Sequence, residues 1–181
     1  MRSVYTVAEW SEPLFNNRAL FSDYFTLCIL FVVAKNRSAA VLALLLGEDD
    51  AGIVGSDRYR AYWSIPVERR QVCWAHLKRN LAAFAERGGP VGDWGRDGMA
   101  LVARVVAAWH RFGAGELDRG RLHAEVIAIR KDFRTFLERG AEVPSWQARA
   151  LRADLLTLEV ARWTFATVEG VEPTNNAAER A

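Results

Sequence analysis

Asp57 follows directly on the apolar stretch Ala51 to Gly55 and Ser56. A carboxylate at the carboxyl end of a strand is well placed to hold a cation in the crevice that an open α/β sheet forms there, and it serves equally as a turn residue or helix cap. The run Thr174-Asn175-Asn176-Ala177-Ala178-Glu179-Arg180 reads on spacing as a helix start. Asn176 is the N-cap, and Glu179, three residues on, completes a capping box. Cys73-x-x-His76 has the donor types of a zinc site. A structural zinc takes four ligands, however, and Cys28, His110 and His123 stand in no paired spacing. His76 is then a buried, hydrogen-bonded residue at a strand end, and His110 and His123 are surface or packing residues. Seven Lys or Arg lie between Arg58 and Arg87 against only Glu68 and Glu86. Arg58, Arg60, Arg69, Arg70, Lys78 and Arg79 are candidate phosphate contacts, and the same cluster also reads as a solvated helix face. Trp109, Trp146 and Trp163 have the rings to stack on an unpaired base, but each falls on a helical pattern that makes it core.

These groups need elements to position them. Thr26 to Ala34 is an apolar run of Ile, Leu, Phe and Val bounded by Asp23 and by Lys35-Asn36-Arg37-Ser38, and reads as a buried strand. Val41, Leu44 and Leu45 mark a short helix that Asn36 or Ser38 caps and Gly47 closes, after which Ala51 to Gly55 is the next strand. Gln71 to Trp74 reads as a third short strand, running into a basic helix from about Ala75 to Arg87 that Gly88-Gly89-Pro90 ends. The order predicts a small α/β sheet with helices. Beyond Asp93 the pattern is helical. Leu101, Val105, Trp109 and Phe112 share one face, as do Leu122, Val126, Ile129, Phe133 and Phe136. Pro144 opens a further helix with Ala148, Leu151, Leu155 and Leu158 inward and Gly170 as its stop. Residues 1–25 show neither period and stay unassigned. At 181 residues and 51% hydrophobic, one domain with an insertion can bury roughly two-thirds of its unfolded surface. The longest apolar run is about half the roughly 20 residues that a spanning helix needs, so no membrane segment is predicted. Two distant cysteines and no secretory signal fit a reducing cytoplasm.

Three ordered blocks carry a resemblance: Gly55-Ser56-Asp57-Arg58-Tyr59-x-Ala61-Tyr62, then Gln71-x-Cys73-Trp74-Ala75-His76-Leu77-x-Arg79, then Thr174 to Arg180. With Arg37-Ser38-Ala39-Ala40 and Leu45-Leu46-Gly47, the chain from about Thr26 to Ala181 resembles the bacterial insertion-sequence transposases of the sixty-six family. The resemblance implies an RNase H-like core whose Asp, Asp and Glu gather two divalent ions, normally Mg²⁺, with a mostly helical insertion ahead of the Glu. Asp57 matches the second Asp and Glu179 the Glu, both as metal ligands, and His76 stands beside the carboxylates. Two such ions activate an attacking hydroxyl and stabilise the leaving oxygen of a phosphodiester displacement.

The family's first Asp, in an Asp-Glu-Thr run on an earlier strand, has no counterpart. Asp23, the upstream Asp that could replace it, neither matches nor leaves room for the intervening hairpin. The expectation is therefore a partial core of about three strands, with one ligand and two strands missing and one sheet edge exposed. Its parts are an unassigned segment 1–25, the partial core 26–95, a helical insertion 96–170 and the start of the Glu-bearing helix 171–181. The predicted function is DNA transposition by an incomplete copy, truncated at both ends, acting on transposon ends at the bacterial nucleoid, with full-length transposase or accessory element proteins as further partners. The alternatives are a non-catalytic DNA-binding remnant and a helical interaction protein unrelated to DNA.

Overall fold

The computed structural model describes residues 4–10, 18–23, 28–33, 38–46 and 51–174. Five strands form one sheet in the order β3-β2-β1-β4-β5. β1 (Val4–Trp10) and β2 (Arg18–Asp23) pair antiparallel from Tyr5↔Asp23 to Trp10↔Arg18, and β3 (Cys28–Val33) pairs antiparallel with β2. β4 (Ile53–Ser56) then runs parallel to β1 in the register Val4↔Ile53, Tyr5↔Val54 and Thr6↔Gly55. β5 (Arg70–Val72) runs parallel to β4.

The expected three strands are thus five. β1 and β2 occupy the segment that local pattern left unassigned, and Asp23 ends β2 opposite both Tyr5 and Cys28. The two strands expected to be missing are present, and β1 is paired on both sides, by β2 and β4. The reason is non-local. β1 meets β4 across some fifty positions of sequence, and pairing at that distance leaves no periodicity inside a seven-residue strand.

α1 (Ala39–Leu46) links β3 to β4, and it is Ser38 that caps it, the hydroxyl accepting from Val41 N at 3.4 Å. Leu42 packs with Val54, Tyr62 and Ile65 in a small core, and Leu46 lies against it. Tyr62 belongs to a 3-10 turn, Arg60–Ser64, in the β4–β5 connection.

The chain divides into two compact units, residues 1–73 with 160–181, and residues 74–159. The second holds α2 (Trp74–Ala85), α3 (Gly89–Gly113), α4 (Arg119–Arg139) and α5 (Trp146–Thr157). Helix therefore starts before residue 96 and, at α5, stops well before Gly170. Asp118 caps α4 by accepting from Arg121 N at 2.7 Å, and Ser145, just after Pro144, caps α5 by accepting from Ala148 N. The predicted faces Leu122 to Phe136 and Ala148 to Leu158 are buried. An aromatic spine joins the helices of this unit. Trp74 meets Phe133 edge-on at 5.5 Å, Phe133 meets Phe136, and Trp94 stacks on Phe136 at 4.7 Å while its indole N–H donates to Phe136 O. Such pairs contribute roughly 0.5–1.5 kcal/mol each beyond the area they bury.

α2 and α3 form a tight hairpin because α3 begins with small residues. A Cβ on Gly95 would collide with the backbone of Phe84 and Ala85, which cannot yield as a side-chain tip would. Gly95→Ala is expected to lower stability by about 1–3 kcal/mol in urea unfolding, the range for an overpacked contact. Gly113→Ala, with open space around its Cβ, serves as the neutral control.

Candidate functional site

β4 delivers Asp57 to the carboxyl end of the parallel half of the sheet. Ser56 is fully buried, its carbonyl accepts from Cys73 N at 2.8 Å, and its hydroxyl donates to Asp57 O at 3.0 Å. The Cys73 bond belongs to the Ser56↔Val72 pair that ends the β4–β5 ladder, and Asp57 is the residue that follows β4. Its carboxylate is half-buried and Oδ1 accepts from Tyr59 N at 2.8 Å, an Asx turn that shapes the loop to the 3-10 turn. The turn role foreseen for this residue is thus filled by its own carboxylate.

Arg70, expected as a phosphate contact, is instead buried within β5, only 1% exposed. Its Nη2 makes a long hydrogen bond of 3.5 Å to Asp57 O. Burial pulls the guanidinium down to about 10, against which the nearby Asp57 and Tyr62 raise it. The residue is a cation locked under the Asp57 loop and does not reach a phosphate. The other basic candidates divide. Arg60, Lys78 and Arg79 are exposed, with Arg60 lying over the Trp63 ring at 4.8 Å. Arg58 and Arg69 are half-buried, and Arg69 Nε donates to Gly52 O.

In the helical unit His76 is half-buried on α2, one turn before Arg79, whose Nη2 lies 3.0 Å from His76 Nε2. Cys73 is buried in the other unit. His110 and His123 are exposed. Of the three tryptophans, Trp163 is buried and Trp109 half-buried against Phe112. Trp146 corrects the core assignment at 69% exposed, because it opens α5 off the face set by Ala148, Leu151 and Leu155. Glu179, with Asn175 and Asn176, lies outside the described residues.

A set of polar residues that pattern reading missed holds this end of the sheet together. After α5 the chain makes a 3-10 turn, Val160–Arg162, and one helical turn, α6 (Thr164–Thr167), both against β5. Thr164 Oγ1 donates to Arg70 O at 2.6 Å, Phe165 N donates to Gln71 Oε1 at 2.8 Å, and Gln71 Nε2 donates to Val72 O and Arg162 O. These bonds explain why α5 cannot run on to Gly170, since the backbone from 162 to 165 is committed to β5. The available signal was Arg70-Gln71 itself, two long polar residues entering a short strand.

A paired magnesium site needs several carboxylate oxygens on each hard ion. Among the described residues no three of His, Cys, Asp and Glu are grouped closely enough to hold a metal, and Asp57 already gives Oδ1 to Tyr59. The described residues therefore do not fit a two-ion site.

A family model described as Transposase IS66 family matches residues 20–181. No curated protein and no solved structure matches the chain.

Thr164→Val is expected to cost about 1–3 kcal/mol, the range for stranding a buried acceptor, and Gln71→Ala at least as much because it releases three bonds. Hydrogen exchange at the amides of β5 and of 162–165 should rise together in both variants, whereas amides of α4 should not change.

Proposed function

Because this chain belongs to the IS66 transposase family, we propose that residues 1–73 and 160–181 form an RNase H-like core serving DNA transposition, and that residues 74–159 are its helical insertion. The observation that carries this is the sheet. An antiparallel meander, β3-β2-β1, continues into two parallel strands, and Asp57 stands at the carboxyl end of the first of these. That supports the reading of Asp57 as the second acid of the family; the roles of Glu179 as the last acid and of His76 rest on the family resemblance alone.

The family implies DNA as substrate and divalent metal in the reaction, with magnesium the natural choice for an all-oxygen site. With no Asp-Glu-Thr run in the sequence to match the family's first acid, the reading for this chain is DNA binding with little or no strand transfer of its own. It associates with transposon ends, and full-length transposase is the partner that would supply the chemistry. Arg60, Lys78 and Arg79 are the phosphate contacts, with Arg58 and Arg69 contributing where their side chains clear the surface. Among the described residues no helix is long and apolar enough to cross a membrane. The reading is of a protein working at bacterial nucleoid DNA.

A duplex carrying the transposon end should be retained at low salt and released steeply as salt rises, because each phosphate contact releases counterions. Lys78→Ala and Arg79→Ala should each weaken retention on any sequence and reduce the salt slope by about one. Nicking in magnesium should stay near background. Absence of salt-dependent retention would remove DNA from the reading. Robust nicking that Asp57→Asn abolishes would show that the site is complete after all.

A further inference from the structure

We infer that the loop following Asp57 is a stacking site for an unpaired DNA base, built from Tyr59 and from the pair Arg60 and Trp63. The inference rests on the proposed reading of the chain as a DNA-binding protein, and adds single strands to the duplex as what it holds. From Arg58 to Val67 the sequence carries two arginines, Arg58 and Arg60, and three aromatic rings, Tyr59, Tyr62 and Trp63, with no Asp or Glu. The structure gives those rings different tasks. Tyr62 is buried and packs with Leu42, Val54 and Ile65, which fastens the loop to the small core. Tyr59 is 42% exposed. Arg60, also exposed, lies over the ring of Trp63 at 4.8 Å, and the Trp63 indole N–H donates to Arg58 O at 3.2 Å.

An exposed ring is by itself ordinary. This one is set in a rigid and cationic frame. The Tyr59 amide donates to Asp57 Oδ1 at 2.8 Å, so the backbone that carries the ring is fixed by the Asx turn before any ligand arrives. The indole of Trp63 is held by its own hydrogen bond, and the guanidinium over it supplies a second surface on which a base can stack. Every base has a π-face and every nucleotide an anionic phosphate, so a ring flanked in sequence by two arginines meets both halves of one nucleotide. Bases inside a duplex are stacked on their neighbours, and an unpaired base is the one free to stack on a protein ring. Among the described side chains Trp146 is the other exposed aromatic, and its setting differs: Glu142 precedes it, and Arg149, which follows it, donates to Val143 O at 3.0 Å.

Fluorescence anisotropy on the full chain tests this with labelled probes: a short oligothymidine, an abasic strand of the same length, an oligouridine and a duplex. Tyr59→Ala should weaken oligothymidine binding about tenfold, within the range for one stacked base, and leave the abasic strand unchanged. Tyr59→Phe should keep the affinity of the unaltered protein, because stacking needs the ring and not the hydroxyl. Trp146→Ala should change no probe. A folded Tyr59→Ala with undiminished oligothymidine binding overturns the inference, as does an equal loss on the abasic strand or a matching loss in Trp146→Ala. Should Tyr59→Ala not fold, Tyr59→Leu takes its place under the same criteria. An oligouridine bound more tightly than the oligothymidine overturns DNA as the occupant. The duplex keeps the two ideas apart: base-dependent binding of single strands without salt-dependent duplex retention defeats only the transposon-end reading, duplex retention without dependence on Tyr59 defeats only this inference, and retention of no DNA at all defeats both.

Discussion

The sheet depends on how its last strand is closed. β5 is three residues long and lies at an edge, and the chain leaves it at Cys73 to build a separate helical unit before returning at Val160. An edge that short has little ladder of its own, so side chains take over. The hydroxyl of Thr164 and the amide of Gln71 tie the returning segment to β5 by buried bonds, each spanning more than ninety positions of sequence. Buried polar groups satisfied in this way contribute modestly when made and cost far more when one partner is lost. Such bonds fix position more than they add stability. They cover the β5 edge and hold the segment that leads on toward Glu179.

The same strand sets the electrostatics under Asp57. Arg70 is a charge taken out of water, and the cost of that shows in its lowered proton affinity. A guanidinium fixed beneath the loop gives the carboxylate above it a permanent neighbour of opposite sign, while the Tyr59 amide holds one of its oxygens in the turn. Asp57 is thus oriented by the protein's own groups. A residue so placed is useful to a metal site only if further oxygen ligands reach the same level, and among the described residues no group of three His, Cys, Asp or Glu is close enough to hold an ion.

Where local pattern was decisive, the elements could be read before the fold. The helical stripes of α4 and α5 were legible because Leu122, Val126, Ile129, Phe133 and Phe136, or Ala148, Leu151, Leu155 and Leu158, repeat at the period of the helix that buries them. Asp57 at a strand end was legible for the same local reason. β1 and β2 were not, since Val4 to Trp10 is made a strand by Ile53 to Gly55 and by the hairpin partner, neither of which marks its own period. The end of α5 was misread because a helix stop at Thr157 comes from Gln71 claiming the backbone beyond it. Arg70 was misread because a run of basic residues says nothing about which of them faces inward. Trp146 was misread because an aromatic at the first position of a helix lies outside the stripe that follows. The place of Glu179 in the site stays with the family resemblance that named it.

The clamp on β5 also bears on the order in which the chain can assemble. Closing a loop of more than ninety positions carries an entropic cost that grows with its length, and contacts of that separation are slow to form from an open chain. The helices between are antiparallel neighbours in sequence, joined by short connections, and they condense through local contacts. Once they have done so, the detour is a folded body bounded in sequence by Trp74 and Glu159, in place of an open loop. Thr164 and Gln71 are then the late joint of the sheet.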